Sequence, residues 1–90
     1  TRRQEREQVA RLNLNAGEKA RASGGFDQAV EYLKTGIELL DEDGWSSQYD
    51  VMLALCTECA EAARLKGDLP LMSNMFIQVK QKAVSPTDTP

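Results

Sequence analysis

The 90-residue sequence predicts an all-α fold in which two antiparallel helical hairpins stack on each other. Apolar residues recur at helical spacing through most of the chain, and no segment alternates with the period of two that strands require. A glycine turn also occurs twice, as Gly24-Gly25-Phe26-Asp27 and, 43 positions later, as Gly67-Asp68-Leu69-Pro70. Each turn follows an alanine-rich stretch and opens another helical stretch, so the chain contains an internal repeat of two helical units.

The first unit is predicted to contain one helix from about Arg3 to Ala22 and another from Phe26 to Leu40. Ser23-Gly24-Gly25 separates them, because glycine accepts the left-handed conformation that ends a helix. The buried face expected for the first helix is Val9, Leu12, Ala16 and Ala20. The second helix carries a wider apolar stripe, made of Phe26, Ala29, Val30, Leu33, Ile37 and Leu40.

The second unit follows an acidic turn, which is predicted at 41–44. Its long helix is predicted to start after Trp45, where Ser47 and Asp50 resemble a capping box, and to end at Gly67. Its expected buried face is Tyr49, Met52, Leu53, Cys56, Cys59, Ala60 and Ala63. Asp68 is expected to cap the last helix, whose apolar residues are Met72, Met75, Phe76, Val79 and Ala83. Because the loop within each pair of helices is short, both pairs should be antiparallel.

Residues 1–84 are predicted to form one small domain, with unit one at about 3–40, unit two at about 46–84 and a flexible tail at 85–90. A chain of this size buries only about 60–65% of the surface that its unfolded form exposes, so neighbouring segments should contribute to its stability. The first residue is Thr1, and the tail has no closing element. We therefore expect the chain to be a piece of a larger protein.

The charge and the composition exclude several classes of partner. A net charge of −3 argues against general nucleic-acid binding. Arg2, Arg3 and Arg6 form either a patch for an anionic partner or the solvated start of a helix. No apolar run approaches the roughly 18 residues of a membrane span, and no signal peptide is visible. Two cysteines without others give no disulfide framework, so a cytoplasmic setting is expected.

The sequence offers little for catalysis. Without histidine, neither a Ser-His-Asp nor a Cys-His arrangement can be built. Cys56 and Cys59 form a CxxC, but a metal site needs about four ligands, and a redox pair belongs at a helix N-terminus rather than in mid-helix. Buried structural thiols are therefore expected, and a thiol or metal protein is the less favoured alternative. We expect no catalytic residue, no metal and no cofactor in this segment.

The order of small and bulky residues in the two units resembles a tetratricopeptide repeat. In unit one the matching residues are Ala16, Gly17, Ala20, Gly24-Gly25-Phe26, Ala29, Leu33 and Gly36. In unit two they are Cys59, Ala60, Ala63, Gly67-Asp68-Leu69, Met72, Phe76 and Val79. The resemblance implies that the small residues mark where two helices cross closely. The period of 43 exceeds the usual 34, and the prolines that end standard units are absent, so the match is tetratricopeptide-like.

A narrower resemblance covers the stretch from Ala10 to Ser23 and continues through Ala29, Gly36 and Trp45 to Tyr49. This stretch is similar to a segment of very large signalling kinases, which join a serine/threonine-kinase-like domain, an AAA-type ATPase, a helical-repeat region, sensor domains and often a histidine kinase. The resemblance implies a parent protein in two-component-type signalling. It implies for this segment a non-catalytic scaffold that mediates contacts between domains or proteins.

The surface expected to bind partners is the one that the first helix of each unit lines in tetratricopeptide arrays. Mapped onto this sequence, the resemblance places there Arg11, Leu14, Glu18, Arg21, Thr57, Glu61 and Arg64. The partner would be a protein or peptide, or neighbouring domains of the same chain, and self-association through the exposed end helices is a further expectation. The alternatives are a free-standing peptide-binding adaptor and a solvated face without a ligand.

Overall fold

The computed structural model describes residues 2–40 and 44–82, apart from the side chains of Arg3, Ser46 and Ser47. Every regular element in those two ranges is a helix, which confirms the predicted all-α class. In chain order the helices are α1 (Arg2–Ala22), α2 (Phe26–Leu40), α3 (Gly44–Ser47), α4 (Tyr49–Lys66) and α5 (Leu69–Lys82). Residues 41–43 of the predicted turn at 41–44, residues 83–84 of unit two and the tail at 85–90 lie outside the described residues. Gly44, which was predicted to belong to the turn, is the first residue of α3.

The two glycine turns have the same geometry. Gly24 and Gly67 adopt positive φ angles of 87° and 90°. In each turn the next amide donates to the carbonyl five residues earlier, from Gly25 to Ala20 and from Asp68 to Ala63, both at 2.8 Å. This is the Schellman arrangement, which satisfies the last carbonyls of a helix and requires a left-handed residue. The repeat predicted from sequence is therefore present in the backbone of both turns.

Contacts along the helices show that the first hairpin is antiparallel, since Ala10 lies beside Gly36 and Gly17 beside Leu33, and that the hairpins stack. Helices α4 and α5 pack against each other on either side of the two-residue turn Gly67-Asp68. Between the hairpins, Leu55 of α4 packs against Gly36 of α2, and Lys66 at the end of α4 reaches Asp27 at the start of α2. Helix α4 contacts all the other helices and carries more buried residues than any of them. It is therefore the centre of the fold.

Gly17 and Gly36 are helical positions where a side chain would not fit. A Cβ atom on Gly17 would lie 2.5 Å from Cγ of Leu33, and one on Gly36 would lie 2.7 Å from Cδ2 of Leu55. Both leucines are fully buried. The roughly 1 kcal/mol that a mid-helix glycine costs relative to alanine is thus offset by close packing of two helices.

The face predicted for α1 is only partly correct. Val9 and Leu12 are 43% and 65% exposed, whereas Ala10 and Gly17 are buried and Leu14 packs against the core. The smaller residues turn inward because α2 approaches α1 closely at both positions, with Leu33 beside Gly17 and Gly36 beside Ala10. The stripe that contains Val9 and Leu12 is more apolar, and periodicity alone predicts that it is buried, but it faces outward.

Three predictions for the second unit are also wrong. Tyr49, which was expected on the buried face of α4, is 37% exposed. The residue that precedes α4 is Gln48, which makes no side-chain capping bond, and Ser47 belongs to the short helix α3. In α5 the buried residue is Met75, and Phe76 is 55% exposed. Met72 and Val79, which belong to the same predicted stripe, are partly buried and pack against the core beside Met75. Asp68 does cap α5, since its Oδ1 accepts the Leu71 amide hydrogen at 3.2 Å.

Candidate functional site

The seven residues predicted to contact a partner lie on α1 and α4, which run side by side. Four of them belong to α1 and three to α4: Arg11, Leu14, Glu18, Arg21, Thr57, Glu61 and Arg64. We call this set the α1/α4 face. At the Arg21 end of this face, residues of α1 lie close to residues of α4, as the ion pairs described below show. Arg11 lies almost three turns earlier on α1.

The arginines of the α1/α4 face are paired with carboxylates of the protein itself. Nε of Arg21 donates to Oε1 of Glu58 at 2.7 Å, and both side chains are partly buried. Arg64 binds Glu61 one turn earlier on α4, and this hydrogen bond lowers the pKa of Glu61 below its usual value. Arg21 also lowers the Glu61 pKa through its charge. This end of the face is therefore a network of two arginines and two carboxylates.

The Arg11 end of the face is paired in the same way. Both Nε and Nη2 of Arg11 donate to Oε2 of Glu7, at 3.0 and 2.9 Å, one turn apart on exposed α1 surface. Glu7 and Glu58 were not among the predicted residues. For Glu7, the spacing of four residues before an arginine could have predicted the pair. For Glu58, no local signal exists, because its partner is 37 positions away.

The remaining residues of the face are Leu14, Thr57 and the carboxylate Glu18. Leu14 packs against the hydrophobic core, so it supports α1 from within. The Thr57 hydroxyl donates to the Leu53 carbonyl of its own helix at 2.7 Å. Glu18 is partly buried. With three arginines matched by Glu7, Glu58 and Glu61, the face has no unpaired arginine with which to recognise a carboxylate.

Cys56 and Cys59 are both fully buried in the core. Burial raises the pKa of Cys56 to about 12, with a further contribution from Cys59, and raises that of Cys59 to about 11. Thiolate, the form that attacks disulfides and binds metals, is therefore disfavoured near neutral pH. In the part of the chain that the structure describes, no group of three or more His, Cys, Asp or Glu residues is arranged to hold a metal ion.

Trp45 and Tyr49 pack edge to face, with ring centroids 6.0 Å apart and planes inclined by 62°. Trp45 also packs against the core. The pair thus fastens α3 to the start of α4. Between them the chain bends at Gln48, and the fit at this corner depends on Gly44, where a Cβ atom would lie 2.7 Å from Cβ of Leu40.

The first hairpin carries an apolar surface that includes Val9 and Leu12, two residues predicted to be buried. It is made of Val9, Leu12 and Ala16 on α1 with Tyr32 and Leu39 on α2, and we call it the outer α1/α2 face. Two depressions follow the seam between the helices. One, of about 300 Å³, is lined by Val9 and Leu39, and the other, of about 450 Å³, is lined by Ala16 and Tyr32.

A second apolar surface lies at the opposite end of the stack. Leu69, Phe76 and Ile77 of α5 are each at least half exposed, and we call them the α5 face. Monomeric proteins seldom leave apolar side chains grouped on their surface unless they bind something there. The large exposed apolar residues of the described chain thus lie mainly at the two ends of the helical stack.

None of the helices within 2–40 and 44–82 combines the length and the apolar content needed to cross a bilayer. No family model, no curated protein and no solved structure matches this chain. The class that the geometry defines is therefore a stack of two helical hairpins joined by Schellman turns, with apolar surfaces at both ends.

Proposed function

We propose that this chain is a non-catalytic scaffold that holds neighbouring helical segments or domains through the ends of its stack. The observation that carries the proposal is the exposure of apolar residues at both ends, with Leu12 at 65% on the first hairpin and Leu69 at 58% on α5. Helical repeats bury such surfaces against the next repeat, and each repeat contacts only its neighbours.

We further propose that the parent is a large signalling kinase of the two-component type, and that the chain acts in the cytoplasm. The support for this parent is the resemblance of the segment from Ala10 to Tyr49 to the helical-repeat region of such kinases. In that setting the stack would set the distance and orientation between the ATPase part and the sensor or kinase domains. The free energy for this role would come from burial of the end faces.

The alternative of a free-standing peptide adaptor finds less support in the geometry. Such an adaptor needs charged groups on the α1/α4 face that are available to a ligand. Here Arg11, Arg21 and Arg64 already bind carboxylates of the protein. A peptide would have to replace those bonds before it gained new ones.

The scaffold proposal is tested by the reading frame on both sides of the gene segment that encodes this chain. We expect one polypeptide that also contains a kinase-like or AAA-type ATPase domain. A reading frame without either domain would overturn the proposed parent. The second test is deletion of this segment from the complete protein, which should change regulation of the kinase while leaving the rate of ATP hydrolysis by the deletion variant unchanged.

A further inference from the structure

We propose that the outer α1/α2 face binds an acidic amphipathic helix that presents a glycine or alanine to Leu12. This inference deepens the proposed scaffold function and rests on it for its biological setting, but its physical basis lies within the chain. The structure contains one example of the same interface, because α4 of unit two docks on α2 of unit one.

In that example, a leucine of one helix fills the space above a glycine of the next. Leu55 is fully buried, and its methyl groups approach Gly36 so closely that a Cβ atom there would lie 2.7 Å from Cδ2. At the far end of the same interface, Nζ of Lys66 binds Oδ1 of Asp27 at 3.0 Å. The docked helix α2 is amphipathic and carries Asp27, Glu31, Lys34 and Glu38, a net charge of −2.

The repeat relates this interface to the outer α1/α2 face. Because the turns at Gly24 and Gly67 are equivalent, Leu12 occupies in unit one the position that Leu55 occupies in unit two. By the same relation, Val9 corresponds to Met52, which is buried. Leu12 thus has the position of an interface residue but lacks its partner helix, and it is the most exposed large apolar side chain in the described ranges.

The charges around the face favour an acidic occupant in one orientation. Arg2, Arg6 and Lys19 border the two depressions together with Glu5, which gives a local charge of +2. A helix antiparallel to α1, as α2 is to α4, would place its negative C-terminal dipole beside Arg2 and Arg6. The N-terminal turn of that helix would lie near Lys19. Lys19 is one turn before Ser23, and Ser23 is the residue of unit one that corresponds to Lys66.

A second copy of this chain is a poor occupant. The helix with the required properties is α2, but in each copy its glycine side is already covered by α4 through Leu55. The α5 face of a second copy carries lysines rather than carboxylates in its last turn. The occupant we infer is therefore a helix of α2 type from another segment or protein.

A peptide of residues 26–40 is the probe for this site. An isolated helix of 15 residues is only marginally stable in water. The peptide is therefore stapled by a lactam between Lys34 and Glu38, which are exposed in α2 and one turn apart. The lactam removes one charge of each sign, and helicity is checked by circular dichroism. The complete 90-residue chain, labelled with ¹⁵N, is titrated with the peptide to about 1 mM, where a Kd of that order is detectable by NMR.

We expect saturable shifts in the amide signals of Val9, Leu12, Ala16, Tyr32 and Leu39. Leu12→Ala should raise the Kd about tenfold, since most of the apolar surface that Leu12 buries against the peptide is lost. A peptide with Gly36→Leu should bind about tenfold more weakly, because its side chain would occupy the space that Leu12 fills. Leu69→Ala is the matched control, since it removes a similarly exposed leucine from the opposite end, and it should leave the Kd unchanged.

Three results would overturn the inference. The first is the absence of shifts, or a Kd that Leu12→Ala does not change. The second is that the shifts map to α4, which would mean that the peptide displaces the chain's own α2. The third is that Leu12 signals change with protein concentration without peptide, which would make a second copy the occupant. None of these results depends on the reading frame, so failure here is distinct from failure of the proposed parent.

Discussion

Replacing Leu55 with alanine should weaken the stacking of the two hairpins more than any substitution on the outside of the fold. Leu55 is fully buried and packs into the space above Gly36, so alanine would leave a cavity between α2 and α4. Leucine-to-alanine changes in cores cost about 2–5 kcal/mol, and we expect about 3 kcal/mol here. Since a chain of this length has a total stability of about 5–13 kcal/mol, the loss would be a large fraction of the whole.

The assay is thermal and urea unfolding followed by circular dichroism at 222 nm. For a domain of this size each kcal/mol lowers Tm by about 4–8 °C, so Leu55→Ala should lower it by roughly 12–24 °C. Leu12→Ala is the matched control, because it makes the same chemical change at the equivalent position of the repeat. Leu12 is 65% exposed, so this variant should remain within about 0.5 kcal/mol of wild type.

Equal destabilisation by the two substitutions would refute this reasoning, since it would mean that Leu12 is as buried as Leu55. A loss below about 1 kcal/mol for Leu55→Ala would also refute it, because it is smaller than any buried leucine should give.

Four further predictions follow from the packing and the charges. Gly17→Ala should destabilise the fold by roughly 1–2 kcal/mol, measured by urea unfolding. The added Cβ would lie 2.5 Å from Cγ of Leu33, and this overpacking outweighs the gain in helix propensity. A stabilised variant would contradict the close packing of α1 on α2. The buried thiols of Cys56 and Cys59 should react with a thiol reagent at pH 8 roughly a hundredfold more slowly than in urea. The pKa values of these thiols are about 12 and about 11 in the folded protein, against 9.0 when exposed, so unfolding releases protons above pH 9. The urea concentration at the unfolding midpoint should therefore decrease as the pH is raised from 9 to 11. A midpoint that does not change with pH would argue against burial of the thiols. Arg64→Ala should raise the pKa of Glu61, measured by NMR titration, because its main hydrogen bond is lost; an unchanged value would show that the pair does not form in solution.

The helices and turns of this chain could be predicted from local signals. Gly24, Gly67 and Asp68 act within a few residues of their own positions, and the structure places each where the sequence predicted. The close approach at Gly17 and Gly36 could also be predicted, because a glycine in mid-helix needs a packing reason. What the glycines pack against, Leu33 and Leu55, follows only from the tertiary arrangement.

The inward side of α1 could not be predicted from hydrophobicity. Val9 and Leu12 are the more apolar line, but α1 approaches its neighbours through Ala10 and Gly17, whose small size allows close contact. An amphipathic pattern identifies an apolar face without saying whether the protein core or a partner covers it. The exposure of Phe76 could not be predicted either, because Phe76 lies on the apolar stripe of α5 and only the tertiary arrangement buries Met75 instead.

The predicted partner-binding residues follow from their positions in the repeat. Position in the repeat does not reveal whether a charged side chain is paired with another residue of the same protein. Arg21 was predicted to point at a ligand, but it binds Glu58 across two helices. Whether the α1/α4 face binds a peptide stays a prediction. The outer α1/α2 face follows from the tertiary arrangement, which exposes Leu12 and buries its equivalent Leu55.

The central claim is that this chain acts by burying its apolar end faces against neighbouring segments. Hydroxyl-radical footprinting of the 90-residue chain and of the complete gene product tests it most directly. We predict that Leu12 and Phe76 are labelled in the 90-residue chain and protected in the complete protein, while Tyr49 is labelled similarly in both. Equal labelling of Leu12 and Phe76 in the two proteins would contradict the account.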